Sequence, residues 1–470
     1  MSQITYITEN IASLPVSYQK DLALTFFSPI AHLPWAMLLR SAAPNHANNR
    51  FDILVANPDV TLQTYAQDTH IHHTQADTHS VSQDDPFSLL QHYLSQTLPS
   101  IEQDTELPFV GGALGYFSYD LGRRVETLPD IAQADPHAPD MAIGIYEWAL
   151  VCDHQTQTAY VVGQNVETHY QWLLSQQTLS QTKPAPFALT SPWQANMSQS
   201  AYAQKFAQVQ RYIQQGDCYQ INLAQRFEAS YQGDEWQAYL KLEASNHAPF
   251  SAFIRVANTC LLSVSPERFI YADSAMIETK PIKGTRPRYA NLEQDQAAID
   301  DLKSATKDQA ENLMIVDLLR NDIGRVAKPG SVCVPHLFEV ESFPAVHHLV
   351  STIRATLDTG YQLTDLLRAC FPGGSITGAP KVRAMQIIEE LEPHRRDAYC
   401  GSIGYISRCG RMDTNISIRT LVARDQRLYA WAGGGLVADS QVDDEYQETL
   451  DKLGKILPVL TFESSSQSQS

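Results

Sequence analysis

ETKPIKGTRPR, residues Glu278 to Arg288, begins like the end of a strand and is broken at Pro281. Proline fixes φ and removes a backbone donor, whereas glycine permits a positive φ or a close backbone approach. Together these features predict a rigid loop that holds Lys283 in a set position. An isolated KGTR string also fits a solvated basic loop, so the interpretation depends on the rest of the chain.

The composition limits the class of protein. The chain has 470 residues, of which 43% are hydrophobic and 18% charged, so it can bury the core of a large α/β body or of two or three domains. The formal net charge of −18, without a sustained basic tract, argues against nucleic acid or an anionic membrane as the main partner. An anionic small substrate must therefore be met by locally placed cations.

The cysteines and the apolar segments indicate a cytoplasmic protein. The seven cysteines are scattered and lack CxxC spacing, which favours a reducing compartment over a disulfide scaffold or a structural zinc site. The N-terminal segment MSQITYITENIASLPVSYQK lacks the pattern of a secretory signal. No apolar run approaches the ~20 residues that a membrane-spanning helix needs.

Four histidines lie in a polar segment, residues 68–80, and are His70, His72, His73 and His79. A metal site is conceivable there. However, the alternation of His70 and His72 along a strand-like run, with no nearby cysteine or fixed carboxylate, favours a solvated sheet edge or loop.

The domain organisation is predicted from a loss of periodicity. Residues 178–197 gain proline, serine and threonine, which indicates a linker. We expect an N-terminal domain at 1–177 and a catalytic domain at 198–460. The tail at 461–470, which ends in ESSSQSQS, is of low complexity and is predicted to be disordered.

Two predicted helices carry carboxylates at helical spacing. Asp308 and Glu311 lie near the start of a buried helix, and Glu445, Glu448 and Lys452 share a face of a second helix. Mg²⁺ takes oxygen ligands and shares its coordination sphere with water and substrate, so two such helices suit it. The structural alternatives are acidic residues that complement a helix dipole and a solvated Glu–Lys face.

Three further segments carry candidate groups. Glu267, in SPERF, is a proton donor if desolvation raises its pKa, or part of a surface Glu–Arg pair. The glycine-rich FPGGSITGAPKVRAM, residues 371–385, leads into a helix N-terminus and suits an anion, although it is not a Walker loop. Arg419, in a strand predicted over Asn415 to Thr420, clamps a carboxylate or lies on the surface.

Together these motifs resemble the chorismate-utilising enzymes, a family that includes anthranilate, isochorismate, salicylate and aminodeoxychorismate synthases. The resemblance covers roughly Ser198 to Leu457 and includes GDCYQINLAQRF, SPERF, PIKGTRPR, AENLMIVDLLRNDIGRV, VHHLVS and DTNISIRT. Residues 30–125 resemble the family's N-terminal domain. The implied fold is α/β (α+β), like that of anthranilate synthase component I, with a large two-sheet β sandwich covered by helices.

Residues 220 and 283 indicate a branch of the family. PIKGT, with Lys283, is typical of the aminodeoxychorismate synthases, whereas anthranilate synthases usually have alanine there. Gln220 stands where isochorismate and salicylate synthases have a general-base lysine. The resemblance implies conversion of chorismate and ammonia to 4-amino-4-deoxychorismate for para-aminobenzoate and folate synthesis. The alternatives are anthranilate synthase component I and a catalytically silent regulatory subunit.

The resemblance also implies roles for individual residues. Lys283 is expected to form a covalent intermediate, Glu267 to protonate the departing hydroxyl, and His348 to lie near the substrate ring. Mg²⁺ is expected on Glu311 and Glu448, supported by Asp308 and Glu445. The expected substrate contacts are Thr285, Thr377, Gly378, Tyr399, Arg419, Gly435 and Lys452.

Two further expectations concern partners and ligands. The chain lacks the GxCxG nucleophile elbow of a glutamine amidotransferase, so the resemblance implies that a separate subunit supplies ammonia. No lyase domain is expected to follow. LLRSA, around Ser41, resembles the LLES motif that binds feedback tryptophan in anthranilate synthases, with Arg40 in place of the glutamate. This implies a tryptophan pocket with a structural role.

Overall fold

The computed structural model describes residues 4–43, 50–102, 105–179, 185–343 and 346–462. Most of the tail that was predicted to be disordered, residues 463–470, lies outside these ranges, as do residues 180–184 of the expected linker. All seven cysteines are unpaired. No helix within the described ranges is both long and apolar enough to cross a membrane.

The α-helices of the described residues lie mainly on the outside of two sheets. They are α1 (Leu22–Phe27), α2 (Pro86–Thr97), α3 (Val166–Leu179), α4 (Gln199–Gln215), α5 (Glu235–Asn246), α6 (Leu292–Ser304), α7 (Thr306–Gly324), α8 (Leu363–Cys370), α9 (Lys381–Leu391) and α10 (Val442–Lys452).

The strands divide at the centre of the chain into two sets. The first are β1 (Thr5–Thr8), β2 (Ile11–Val16), β3 (Met37–Arg40), β4 (Phe51–Val55), β5 (Val60–Tyr65), β6 (Asp68–His73), β7 (Thr78–Ser82), β8 (Gly112–Phe117), β9 (Met141–Tyr146), β10 (Trp148–Asp153), β11 (Thr158–Gly163), β12 (Ala188–Leu189) and β13 (Gln194–Ala195). The second are β14 (Gln220–Gln232), β15 (Phe250–Val256), β16 (Thr259–Ser265), β17 (Arg268–Asp273), β18 (Met276–Thr279), β19 (Ile282–Pro287), β20 (Cys333–Ser342), β21 (Val346–Thr356), β22 (Gly378–Ala379), β23 (Ser402–Ser407), β24 (Arg411–Asn415), β25 (Thr420–Arg424) and β26 (Arg427–Leu436).

These strands form two large antiparallel sheets. The 14-stranded sheet has the order β1-β2-β11-β10-β4-β3-β15-β16-β25-β26-β14-β12, and β13 and β22 also pair with β14. The 12-stranded sheet has the order β19-β21-β18-β17-β24-β23-β8-β9-β5-β6-β7, and β20 pairs with β21. The predicted α/β architecture with two large sheets is therefore confirmed.

The first sheet is buried on both faces because its strands alternate between two cores. In β4, Ile53 and Val55 enter a core that also contains Leu114 of the second sheet, whereas Leu54 enters a separate core. Successive side chains of a strand point to opposite faces, so adjacent residues serve different cores. Trp236 of α5 lies in the same separate core as Leu54, so helices cover this outer face.

Both sheets contain strands from either side of residues 178–197. In the first sheet, β3 from the N-terminal part pairs with β15 from the C-terminal part. In the second sheet, β8 pairs with β23. The short strands β12 and β13 lie within the expected linker and pair with β14. The division into domains at 1–177 and 198–460 stays a prediction, and the sheets are continuous across it.

Two expected elements are interrupted. The single buried helix expected in this part of the chain is two helices, because Ala305 adopts an extended conformation between α6 and α7. The predicted strand over Asn415 to Thr420 is also wrong. β24 ends at Asn415 in the second sheet and β25 begins at Thr420 in the first, so residues 416–419 cross between sheets and Arg419 has φ 50°.

Candidate active site

The candidate site lies where the chain passes from one sheet to the other. Glu267 lies between β16 and β17, and Arg419 lies in the second crossing, between β24 and β25. The amide of Ile416 donates to the carbonyl of Glu267 at 3.0 Å, which ties the two crossings together. The structure thus brings close two regions that lie about 150 positions apart in the sequence.

Arg419 is a cation without a carboxylate partner among the described residues. Burial lowers the pKa of its guanidinium below the ordinary value. Burying a charge that has no counter-charge is costly unless a ligand supplies one. Its position therefore suits the carboxylate of a ligand.

Lys283 lies on β19, where a bulged strand replaces the expected loop. β19 pairs with β21, and the register shifts between Lys283 and Thr285. Gly284, at the bulge, has φ 71°, which is the left-handed region that favours glycine. A Cβ at this position would also lie 2.9 Å from the carboxyl group of Asp308. Gly284 thus fixes how Lys283 leaves the strand.

Glu267 faces two lysines and a hydroxyl. Burial raises the pKa of Glu267, and three groups partly oppose this effect: the hydroxyl of Ser375, which donates to Oε1 at 3.0 Å, and the charges of Lys283 and Lys452. A carboxyl group whose pKa is raised keeps its proton at higher pH, as a general acid requires.

His348 is held against the lysine strand. It lies opposite Thr285 in the β19–β21 pairing, and the Thr285 hydroxyl is 2.9 Å from His348 Nδ1. Burial lowers the pKa of His348 to about 4, and the charge of Arg419 lowers it further, although a backbone hydrogen bond with Gly284 opposes both. The imidazole is therefore neutral at pH 7.

Three carboxylates from two helices approach one another. Burial raises the pKa of Glu311 on α7, and Glu448 on α10 raises it further. Burial also raises the pKa of Glu445, and Glu448 again adds to the effect. Ser440 donates to Glu445 Oε1 at 2.6 Å, whereas Oε2 is buried without a hydrogen-bond partner in the described part of the chain. Lys452 pairs with Glu448 at 2.6 Å.

Asp308 points to a different neighbour from the other acidic residues. Its carboxylate forms an ion pair with Arg286 of β19 at 3.3 Å. It contributes to the raised pKa of Glu311 but is not among the charges that shift the pKa of Glu445. Asp308 therefore links α7 to the lysine strand.

The expected substrate contacts around β22 are tightly packed. Thr377 is buried, and its hydroxyl donates to the carbonyl of Gly373 at 3.0 Å. Gly378 has φ 148°, and a Cβ there would lie 2.1 Å from the Gln220 carbonyl oxygen. A Cβ at Gly435 would lie 2.2 Å from Gln220 Nε2. These contacts place β22 and β26 against the start of β14.

Tyr399 and Lys452 complete the expected set. Tyr399 is buried, and its ring stacks on Trp431 at a centroid distance of 6.2 Å. Lys452 Nζ donates to the Gly433 carbonyl at 2.8 Å, so it bridges α10 and β26.

Two polar residues at the site received no role from the sequence. Ser375 lies in the quoted glycine-rich string, but only the fold shows that its hydroxyl meets Glu267. Gln220 Oε1 is buried without a hydrogen-bond partner in the described ranges. Its departure from the lysine of other family members was the available signal.

A second cavity, of about 460 Å³, lies at Ser41 and is separate from the Lys283 region. Its lining also includes Arg40, Phe250, Asp273 and Asn415. The guanidinium of Arg40 pairs with acidic residues of this region, including Asp52 at 3.3 Å and Glu243 at 2.6 Å.

Comparison with known proteins identifies the family. The sequence profile of the chorismate binding enzyme family matches residues 36–458. The chain belongs to this family. It is 56% identical over 453 residues to aminodeoxychorismate synthase component 1 of Salmonella typhimurium, with 96% of this chain and 98% of the relative covered.

More distant relatives include a different activity. The chain is 34% identical over 450 residues to anthranilate synthase component 1 of Aquifex aeolicus, with 92% of this chain and 90% of the relative covered. It also resembles the crystal structure of anthranilate synthase component I from Streptococcus pneumoniae, with a TM-score of 0.77 and 31% identity over 88% of this chain and 93% of that one. This likeness agrees with the two-sheet fold of the family.

Proposed function

We propose that this chain is the chorismate-aminating component of an aminodeoxychorismate synthase. It converts chorismate and ammonia to 4-amino-4-deoxychorismate in a reducing cytoplasm. Support comes from the 56% identity to a relative named for this activity, against 34% to a named anthranilate synthase. The retained acidic residues and Arg419 argue against a catalytically silent subunit.

The observation that carries the proposal is the position of Lys283. Its charge lowers the pKa of both Glu267 and Glu311, so the lysine lies between the candidate acid and the candidate metal ligands. A lysine there can act as a nucleophile once it has lost a proton.

Two allylic substitutions account for the reaction. First, Lys283 Nζ forms a bond to C2 of chorismate, the ring double bonds shift, and the C4–O bond breaks. Glu267 gives its proton to the departing hydroxyl, which leaves as water. Ammonia then bonds to C4, the double bonds shift back, and the C2–N bond breaks to release Lys283. The ammonia nitrogen loses a proton, which can restore the acid form of Glu267.

The acidic residues fit a Mg²⁺ ion. Glu445 Oε2 lacks a hydrogen-bond partner in the described part of the chain. A Cβ at Gly434 would lie 2.9 Å from this atom and would fill the space beside it. We propose Glu311 and Glu448 as ligands, with Glu445 and Asp308 in support. When bound, Mg²⁺ neutralises the ring carboxylate of the substrate.

The remaining residues would bind and orient chorismate. Arg419 and Tyr399 would hold the enolpyruvyl carboxylate, because Arg419 lacks a carboxylate partner within the described residues. Neutral His348 would lie beside the ring, oriented by Thr285. The ring carboxylate would contact the backbone around Gly378 and Gly435, together with Thr377 and Lys452.

We also propose that a separate glutamine amidotransferase subunit supplies the ammonia. The relative's name, component 1, supports a second component. Untagged chain incubated with chorismate and Mg²⁺ should form 4-amino-4-deoxychorismate with ammonium but not with glutamine, as followed by chromatography. Anthranilate as the main product would contradict the aminating assignment. Equal rates with glutamine would contradict only the proposed separate subunit.

For the cavity at Ser41, we propose tryptophan as a structural ligand. Its volume of about 460 Å³ is sufficient for an amino acid, and both acidic and basic side chains line it. Tryptophan should bind in calorimetry with little effect on the amination rate. An absence of binding at millimolar tryptophan would contradict this proposal.

A further inference from the structure

The hairpin of β6 and β7 carries a cluster of possible metal ligands at the edge of the second sheet. His72 and His79 occupy directly opposed positions on the two strands. Their imidazole rings stack in parallel, with centroids 3.9 Å apart and an interplanar angle of 5°. This pairing directs both Nε2 atoms toward the same side of the hairpin, where a carboxylate lies.

Asp77 supplies that carboxylate from the turn between the strands. It has φ 48°, a left-handed conformation that aspartate tolerates better than most residues. Asp77 Oδ1 lies 3.1 Å from His72 Nε2 and 3.7 Å from His79 Nε2. The expectation that these histidines lack a nearby carboxylate is therefore wrong, because the tight turn returns Asp77 over the pair.

The three ligand atoms lie within 4.8 Å of one another. Imidazole nitrogens and carboxylate oxygens bind Zn²⁺ at about 2.0–2.2 Å, so ligands of one ion lie roughly 3–3.5 Å apart. The two measured distances to Asp77 are close to this range, and small side-chain rotations would bring all three atoms to a shared ion.

We propose that His72, Asp77 and His79 form a surface site for a divalent transition-metal ion such as Zn²⁺. Two imidazoles and one carboxylate suit Zn²⁺, Co²⁺ or Ni²⁺, whereas Mg²⁺ prefers oxygen ligands. The side chain of His72 is 30% exposed and that of Asp77 is 86% exposed, so water can fill the other coordination positions.

The site is independent of the proposed amination. β7 is the last strand of the second sheet, and β19, which carries Lys283, is the first. An ion on His72 and His79 would clip the edge strand β7 to its neighbour β6. A ligand that binds only the folded state raises the unfolding temperature, so Zn²⁺ should stabilise the hairpin.

The test uses the full, untagged chain in saturating Mg²⁺, which occupies the candidate active site. Calorimetric titration with Zn²⁺ should give one additional site per chain. Co²⁺ should give weak d–d absorption without the intense band of a cysteine thiolate ligand. Failure to bind Zn²⁺, or a strong thiolate band for the bound Co²⁺, would overturn the proposal.

Substitutions in the hairpin separate this site from other zinc-binding groups. We expect His72→Gln and His79→Gln each to weaken Zn²⁺ binding by about tenfold or more, and Asp77→Asn to weaken it as well. His70→Gln is the matched control, since His70 lies on the same strand but packs against Tyr65 instead. Unchanged affinity in His72→Gln and His79→Gln would refute the assignment.

The amination rate and the unfolding temperature provide a second check. All four hairpin variants should retain the amination rate of the parent chain with ammonium. Zn²⁺ should raise the unfolding temperature of the parent and of His70→Gln, but not that of His79→Gln. An equal rise in His79→Gln would contradict the proposed clip.

Discussion

At the residue scale, Lys283 gives the candidate site its particular chemistry. Gly284 forms the bulge that follows it, and Thr285 pairs with His348 across the strands. The same lysine lowers the pKa of Glu267, the group proposed to protonate the leaving hydroxyl. One side chain thus interacts with both the acid and the carboxylates proposed for the metal.

We expect Lys283→Ala to abolish or strongly slow the formation of 4-amino-4-deoxychorismate, because the covalent step is lost. Ammonia can then attack C2 itself, so anthranilate should be released as a minor product. Chromatographic analysis of the products from chorismate, ammonium and Mg²⁺ measures both effects.

Lys280→Ala is the matched control for this substitution. Lys280 lies three positions earlier and pairs with Glu341 at 2.5 Å, outside the proposed set of reacting groups. It should retain most of the activity. Unchanged kinetics in Lys283→Ala would refute the nucleophilic role.

At the scale of elements, α7 and α10 bring carboxylates together against their mutual repulsion. Glu448 raises the pKa of both Glu311 and Glu445, beyond the effect of burial. Like charges that are held close favour a bound cation. The two helices therefore act as one unit in the proposed metal site.

Glu448→Gln should weaken Mg²⁺ binding by about tenfold or more, because it removes a proposed ligand. Calorimetry measures the affinity directly, and the rise in unfolding temperature with added Mg²⁺ gives a second readout. Asp451→Asn makes the same charge change on α10 and should bind Mg²⁺ like the parent, because Asp451 is exposed and accepts from Gln447. Equal affinities in the two variants would contradict the ligand role.

The short strand β22 depends on Gly378. This residue pairs with Ile221, and a Cβ there would lie 2.1 Å from the Gln220 carbonyl oxygen at an unfavourable φ of 148°. Gly378→Ala should lower the free energy of unfolding by about 1–3 kcal/mol or more. Urea denaturation measures this loss.

Gly324→Ala is the control for the backbone argument. A Cβ at Gly324 would have no heavy atom within 4 Å, and the residue ends α7 without a positive φ. The stability of this variant should remain close to that of the parent, since alanine suits a helix better than glycine does. A similar loss in both variants would contradict the steric explanation.

At the scale of the whole molecule, buried polar groups link the sheets to the segments that connect them. Asp120 is buried in the connection after β8 and accepts a hydrogen bond from the amide of Asp397 at 2.8 Å. Burial, together with the charge of Asp140, raises the pKa of Asp120 from 3.8 to about 7. The stability of the fold should therefore depend on pH near neutrality.

The sign follows from the proton that the folded state retains. Between about pH 4 and pH 7, Asp120 is protonated in the folded chain and ionised in the unfolded chain. Its contribution to stability therefore falls as pH rises through this window, by up to about 1.4 kcal/mol per pH unit, and is level above it.

Asp120→Asn cannot titrate and should lose this contribution. The free energy of unfolding of the parent minus that of the variant should decrease from pH 4 to pH 7. Urea denaturation across this range measures the difference. A difference that stays constant over the whole range would contradict the raised pKa of Asp120.

Local sequence was sufficient to predict the family and many of the chemical groups. Lys283, Glu267, Glu311, Glu448 and Arg419 each lie in a short string whose residue types suggest a role. The two-sheet architecture followed from the resemblance of those strings, and the fold confirms it. The local patterns failed at the breaks, where Ala305 divides a helix and residues 416–419 leave one sheet for the other.

The sequence by itself determined which reacting groups the chain contains, because their identity is local. Only the tertiary structure decided which of them meet: Ser375 with Glu267, Asp308 with Arg286, and Asp77 with the His72–His79 pair. These contacts depend on strand order, register and turn geometry. Those features arise from long-range packing between the sheets, which no single segment specifies.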